Sequence, residues 1–142
     1  MNMETTSDIL IVDDNPENLR TLSATLQQYG YRVRAAIDGK TALLAAEAQA
    51  PELILLDIRM PVMNGYEVCR ALKEMRQTRD VPVIFLSALD SVPDKLQAFK
   101  SGAVDYITKP FSPRELVARL KSVLRRVTPK GIDQVVEVDS LV

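Results

Sequence analysis

Five short apolar runs alternate along this chain with five segments of helical periodicity. The runs predict β-strands, which we place at Ile9–Val12, Arg32–Ala36, Leu53–Leu56, Val83–Leu86 and Ala103–Ile107. A strand–helix alternation of this kind is typical of an α/β protein, because neighbouring parallel strands need a long crossover that is usually a helix. We therefore predict an α/β domain built on a parallel sheet.

The strands differ in composition, and the difference indicates their place in the sheet. The first, third and fourth are apolar throughout, as expected for strands that are covered on both faces. The second strand carries Arg32 and Arg34 in alternation, which is typical of an edge strand. We therefore expect the second strand to be outermost.

The helical segments have recognisable ends. The first begins at the Asn15-Pro16 cap and closes at Gly30, and its apolar positions Leu19, Leu22, Leu26 and Tyr29 share one face. The other predicted helices are Gly39–Gln49, Gly65–Arg76, Pro93–Ser101 with Val92, Leu96 and Phe99 at helical spacing, and a fifth from the cap at Ser112 to Arg126. The remaining residues, 127–142, contain Pro129 and Gly131 and are interpreted as a linker or C-terminal tail, with an added edge strand as the alternative.

Composition excludes several classes of function. The 142 residues carry a net charge of -1, which provides no electrostatic basis for direct binding to nucleic acid or anionic membrane. No apolar run is long enough to span a membrane, the first residues do not resemble a signal peptide, and Cys69 is the single cysteine, so we expect a cytoplasmic protein. Histidine is absent, which excludes a Ser-His-Asp triad and leaves a carboxylate to carry any phosphoryl group.

Charged or hydroxyl residues stand where four of the predicted strands end. Asp13 and Asp14 follow the first strand, Asp57 the third, Ser87 the fourth and Lys109 the fifth. Ligands of open parallel sheets bind beyond the carboxyl ends of the strands, so we expect these side chains to converge in one crevice. Three carboxylates, a hydroxyl and an ammonium in one crevice predict a site for phosphate and a divalent metal ion.

The donor types narrow the choice of metal. Carboxylates without histidine or cysteine favour magnesium, manganese or calcium, which neutralise the repulsion between close acids. Asp13 or Asp14 taken alone would more often be a helix cap than a ligand, and Lys109 and Ser87 would be ordinary surface and turn residues. The agreement of four strand ends favours the functional interpretation.

Four segments of the chain resemble the signature segments of a known family. IVDDNPENL, LLDIRMPVMNGYEV, VIFLSALD and GAVDYITKPFSPREL are similar, in order and spacing, to the response-regulator receiver domain of two-component signalling. The resemblance covers residues 8–126. It implies a flavodoxin-like, doubly wound fold with five parallel strands in the order 2-1-3-4-5 and five helices.

The resemblance also implies a role for individual acids. Asp57 is the residue that takes the phosphoryl group from the phosphohistidine of a histidine kinase or a histidine phosphotransfer protein. Mg²⁺, with Mn²⁺ as a substitute, is held by Asp14, Asp57 and the backbone carbonyl of Arg59, whereas Asp13 acts through metal-bound water.

Further roles follow from the same resemblance. Lys109 pairs with Asp57 and then with the phosphoryl oxygens, Ser87 hydrogen-bonds the phosphoryl group, and the rotamer of Tyr106 follows this switch. The Lys109-Pro110 bond is cis in the family. The signal passes through the face of the fourth helix, fifth strand and fifth helix to an output domain or effector protein.

A homodimer through this same face is a further implied partner. The charged residues that resemble the dimerising set of one receiver class are Lys95, Asp105, Glu115, Arg119 and Arg126, with Ser101 in place of an acid. Solvated helix faces explain such charges equally well, because exposed pairs contribute little.

Two alternatives to a phosphorylated switch differ in class. A haloacid-dehalogenase-like phosphatase with an aspartyl nucleophile requires a second acid two residues after it, and Arg59 stands there. A receiver-like interaction module that takes no phosphate would be expected to lack one of the acids, Ser87 or Lys109, and all are present.

Overall fold

A computed structural model describes residues 7–87 and 92–127, with side-chain detail for all of these except 92–95 and 127. The chain divides into two units, one ending at Phe111 and one beginning at Ser112. The first unit contains the sheet and four helices, and the described part of the second is one helix with its cap.

The sheet of the first unit has five parallel strands in the order β2-β1-β3-β4-β5. These strands are β1 Asp8–Val12, β2 Arg32–Ala36, β3 Leu53–Asp57, β4 Val83–Ser87 and β5 Asp105–Thr108. The predicted fold and the predicted outermost position of the second strand are confirmed. β5 begins two residues later than expected, since pairing with β4 starts where Asp105 lies opposite Ile84.

The helices lie close to their predicted limits. They are α1 Pro16–Gln28, α2 Gly39–Ala48, α3 Gly65–Glu74, α4 Val92–Lys100 and α5 Pro113–Val127. Side-chain caps begin α1 and α3: Asn15 accepts hydrogen bonds from the amides of Glu17 and Asn18, and Asn64 forms a capping box with Glu67.

The core of the first unit lies on the central strands. β3 and β4 are buried at every position, and β1 is buried from Ile9 onward, whereas Arg32 and Ala35 of β2 are exposed. Phe85 of β4 contacts Tyr66 of α3 edge to face, with ring centroids 5.4 Å apart. The central strands are thus rigidly packed along their length, which fixes the positions of the residues at their ends.

Three apolar residues are more exposed than their helical spacing predicts. Tyr29 is 47% exposed, because it caps α1 after the last helical turn. In α4, Leu96 and Phe99 are 63% and 47% exposed, and Ala98 is the buried residue of that stretch. Helical spacing identified one face of α4, but a neighbouring face is the one that packs inward.

Candidate functional site

Three carboxylates meet beyond the carboxyl ends of β1 and β3. Oxygens of Asp13, Asp14 and Asp57 all lie within 4.8 Å of one another. Asp57 is the last residue of β3, and the adjacent pairing of β1 with β3 brings Asp13 and Asp14 beside it. Asp13 is 1% and Asp57 8% exposed, whereas Asp14 is open to solvent. The predicted convergence of these acids is confirmed.

Lys109 provides positive charge to this cluster. Its Nζ lies 3.8 Å from Oδ2 of Asp13 and 3.8 Å from Oδ1 of Asp57. The backbone of the same residue is held by β4, since the Lys109 amide donates to the Ser87 carbonyl at 2.7 Å. One ammonium therefore faces two of the three carboxylates, and the cluster retains an excess of negative charge for a cation to neutralise.

Burial dominates the ionisation of Asp57. Loss of hydration raises the pKa of this carboxyl from 3.8 to about 6, with Asp13 and Asp14 adding to the rise and Lys109 opposing it. At neutral pH the group is still mostly ionised. A carboxylate that is weakly hydrated and ionised is suited to attack an electrophile.

Backbone contacts hold the segment after Asp57 against the sheet. The Gly65 amide donates to the Ile58 carbonyl at 2.8 Å, and a Cβ at position 65 would lie 2.5 Å from the Asp57 carbonyl oxygen. Met60 of this segment is buried. Only glycine allows α3 to begin so close to the end of β3, and this closeness fixes the backbone that carries Asp57.

The remaining predicted residues lie on neighbouring strands. Ser87 is buried as the last residue of β4, one position beyond Leu86, which is paired with Asp57. Tyr106 is buried in β5 opposite Phe85. The side chain of Arg59 is exposed two residues after Asp57. The functions assigned to these residues remain predictions, while the cis Lys109-Pro110 bond is confirmed.

Sequence reasoning missed one residue at the site. The side-chain amide of Asn18 donates to Oδ2 of Asp13 at 3.2 Å. Asn18 is the third residue of α1, and polar side chains at this helical position often reach back beyond the helix start. The available signal was therefore a polar residue three positions after the Asn15 cap.

The structure describes most of the charged set that the sequence predicts for a dimer, and dimerisation itself stays a prediction. Ser101 is buried and its hydroxyl donates to the Ala98 carbonyl at 2.7 Å, so it presents no polar group for an ion pair. Within α5, Glu115 and Arg119 pair with each other at 3.7 Å. The side chain of Lys95 and residues 128–142 lie outside the described part of the chain.

Comparison with known proteins decides the family. Residues 9–121 match the family model of the response regulator receiver domain. The chain belongs to this family. Domains of the family receive a phosphoryl group from a histidine kinase and transmit the signal to an output.

The helices described in the structure include none with the length and hydrophobicity required to cross a membrane.

Individual relatives agree with the assignment. The chain is 45% identical over 119 residues to the DNA-binding dual master transcriptional regulator RpaA of Synechocystis, covering 83% of this chain and 49% of that protein. It is 47% identical over 119 residues to the probable transcriptional regulator ycf27 of Porphyridium aerugineum, covering 84% and 48%. The chain thus spans about half the length of these curated relatives.

The fold comparison leads to the same family. The chemotaxis protein CheY4 of Vibrio cholerae superimposes with a TM-score of 0.80 at 34% identity, covering 84% of this chain and 99% of that one. The similarity extends over nearly the whole of a solved receiver structure.

Proposed function

We propose that Asp57 accepts a phosphoryl group from the phosphohistidine of a kinase or histidine phosphotransfer protein, and that this modification switches a downstream output. The observation that carries the proposal is the placement of the Asp57 carboxylate, with Asp13 and Asp14 within 4.8 Å of it and the Lys109 ammonium 3.8 Å away. The family membership supports the donor.

The proposed reaction is an in-line displacement at phosphorus. An Asp57 carboxylate oxygen forms the new O–P bond while the N–P bond of the donor breaks, and the electron pair of that bond stays on the imidazole nitrogen. Phosphoryl transfer depends mainly on positioning and charge neutralisation. Lys109 is placed to neutralise one phosphoryl oxygen, and the partial burial of Asp57 keeps its carboxylate weakly hydrated.

A divalent cation fits the donor set of this site. All three acids offer hard oxygen ligands, and a single lysine leaves their charge uncompensated. Asp14, Asp57 and the Arg59 carbonyl would hold Mg²⁺, with Asp13 acting through water and Mn²⁺ as a substitute. When bound, the cation neutralises charge on the phosphoryl oxygens.

Burial of Ser87 and Tyr106 supports a switch that depends on packing. An acyl phosphate on Asp57 carries about two negative charges and three acceptor oxygens beside the end of β4, and the Ser87 hydroxyl can donate to it. Movement of Ser87 toward Asp57 would vacate space that the Tyr106 ring can occupy. Because both residues belong to a close-packed region, the response is a shift between two packed arrangements.

The output and the setting are part of the same proposal. The relatives RpaA and ycf27 are named as transcriptional regulators, and this chain matches about half of each, which supports an output domain or effector that responds to the receiver. We place the exchange in the cytoplasm, where ATP is available to charge the histidine of a kinase.

Intact mass spectrometry tests the proposal directly. The chain is incubated with Mg²⁺ and acetyl phosphate, and we expect the mass to rise by one phosphoryl group. The gain should disappear in Asp57→Asn and in EDTA, and it should persist in Asp38→Asn, which changes an exposed acid that caps α2. Absence of any gain with acetyl phosphate or with a phosphorylated histidine phosphotransfer protein would contradict the proposal in favour of a phosphate-independent interaction module.

A further inference from the structure

Both carboxylate oxygens of Asp13 are held by the start of α1. The backbone amide of Asn15 donates to Oδ1 at 2.9 Å, and the side-chain amide of Asn18 donates to Oδ2 at 3.2 Å. Asp13 is only 1% exposed, so these donors replace most of its hydration. Two donors from one helical turn fix the plane of the carboxylate.

The two donors differ in whether a substitution can remove them. The Asn15 donor is a backbone group, and its place is set by the helix start, where the Asn15 side chain caps Glu17 and Asn18. The Asn18 donor is a side chain, and it is the nitrogen that faces Asp13, because the amide oxygen would repel the carboxylate. The orientation of the Asp13 carboxylate about its Cβ–Cγ bond therefore depends on Asn18.

Lys109 shares the oxygen that Asn18 holds. Its Nζ is 3.8 Å from Oδ2 of Asp13 and equally far from Asp57. In the proposed function Lys109 turns to the phosphoryl group on Asp57, and its attraction for Asp13 then weakens. The neutral amide of Asn18 is the donor that stays with Oδ2 throughout the reaction.

We propose that Asn18 is a positioning residue of the metal site, which holds Asp13 in the orientation that accepts hydrogen bonds from the water ligands of Mg²⁺. This inference rests on the proposed function, since it assumes that the acidic cluster binds Mg²⁺. Partners that orient the carboxylates of a metal site typically alter metal affinity by about 10- to 100-fold when they are removed. An Asn18 that only satisfied a buried carboxylate would instead affect stability alone.

Calorimetric titration with MgCl₂, without any phosphodonor, separates these two roles. We expect Asn18→Leu, which keeps the side-chain size and removes the donor, to bind Mg²⁺ about 10-fold more weakly than the unmodified chain. Gln28→Leu makes the same kind of change at the exposed end of the same helix and should bind as the unmodified chain does. Asn18→Ala is measured in parallel, so that failure of the leucine variant to fold leaves the test intact.

The outcomes distinguish this inference from the proposed function. An Asn18 variant that is folded by circular dichroism, melts at a lower temperature and binds Mg²⁺ within twofold of the unmodified chain would overturn the positioning role and leave Asp57 phosphorylation standing. An unmodified chain that binds no Mg²⁺ and gains no phosphoryl mass would overturn both. Weak Mg²⁺ binding by the folded Asn18 variants, with normal binding by Gln28→Leu, supports it.

Discussion

At the scale of single residues, Asp57 is held in conditions that disfavour its charge. The carboxyl lies at the buried end of β3 close to two other acids, and the ammonium of Lys109 at 3.8 Å offsets their charge only in part. Burial and the two neighbouring acids raise the pKa of Asp57 from the ordinary 3.8 to about 6. The folded chain therefore holds the proton more tightly than the unfolded chain does. The ionised Asp57 carboxylate, which the proposed reaction requires, therefore lowers the stability of the metal-free fold at neutral pH.

Asp57→Asn should reveal this cost as a function of pH. Since the folded-state pKa is the higher one, stability from this group is present below about pH 4 and is lost as pH rises through about 6. In EDTA, we expect the variant to exceed the unmodified chain by about 3 kcal/mol in free energy of unfolding at pH 7, with the difference falling below about 1 kcal/mol near pH 4.

Urea denaturation at several pH values measures this difference. Asp38→Asn serves as the control, because hydrogen bonds from Thr41 lower the pKa of Asp38 and its contribution changes with pH in the opposite direction. An advantage of Asp57→Asn that stayed constant from pH 4 to 7 would contradict the assigned cause.

At the scale of elements, the approach of α3 to β3 determines where Asp57 stands. Gly65 begins the helix directly against the backbone of Asp57 and Ile58, and the capping box of Asn64 and Glu67 fixes the first turn. Helix start and strand end thus form one rigid junction. A side chain at position 65 would have to displace the backbone of Asp57, the proposed phosphoryl acceptor.

Gly65→Ala is therefore expected to affect both stability and phosphorylation. Its Cβ would lie 2.5 Å from the Asp57 carbonyl oxygen and 2.9 Å from the Ile58 Cα, and neither backbone atom can yield without moving the junction. Overpacking of this kind costs about 1–3 kcal/mol. We expect a lower urea midpoint together with slower phosphoryl gain from acetyl phosphate.

Gly30→Ala provides the matched comparison. Gly30 has a φ of 93° but nothing within 4 Å of its missing Cβ, so alanine there suffers only backbone strain of about 1 kcal/mol. Its phosphorylation rate should equal that of the unmodified chain. Equal rates for both alanine variants would show that the α3–β3 junction does not control Asp57.

At the scale of the whole molecule, metal binding and folding are linked. The acids of the site come from two strand ends that are distant in sequence, so the site exists only in the folded chain. A ligand that binds the folded state alone stabilises it according to its concentration. Mg²⁺ should therefore act as a global stabiliser.

Thermal melting with and without Mg²⁺ tests this linkage. At a tenfold excess over its dissociation constant, Mg²⁺ should add about 1.4 kcal/mol to the free energy of unfolding, and EDTA should remove the gain. Asp14→Asn should lose most of it, because a proposed ligand is gone, whereas Asp38→Asn should keep it. An equal gain in the Asp14 variant would place the ion elsewhere.

The sequence by itself determined the order of elements, the outermost place of β2 and the gathering of Asp13, Asp14, Asp57 and Lys109. Periodicity, caps and strand ends are local patterns that can be read from the sequence. Because parallel strands all end at the same edge of the sheet, residues that follow different strands come together there. The same patterns placed the ends of most helices within two residues of their observed positions.

Tertiary structure alone decided the rest. The raised pKa of Asp57 results from burial, the hydrogen bond from Asn18 to Asp13 from the exact placement of α1, and the inward face of α4 from its neighbours. Desolvation and contact depend on distances through space, which no spacing along the chain specifies.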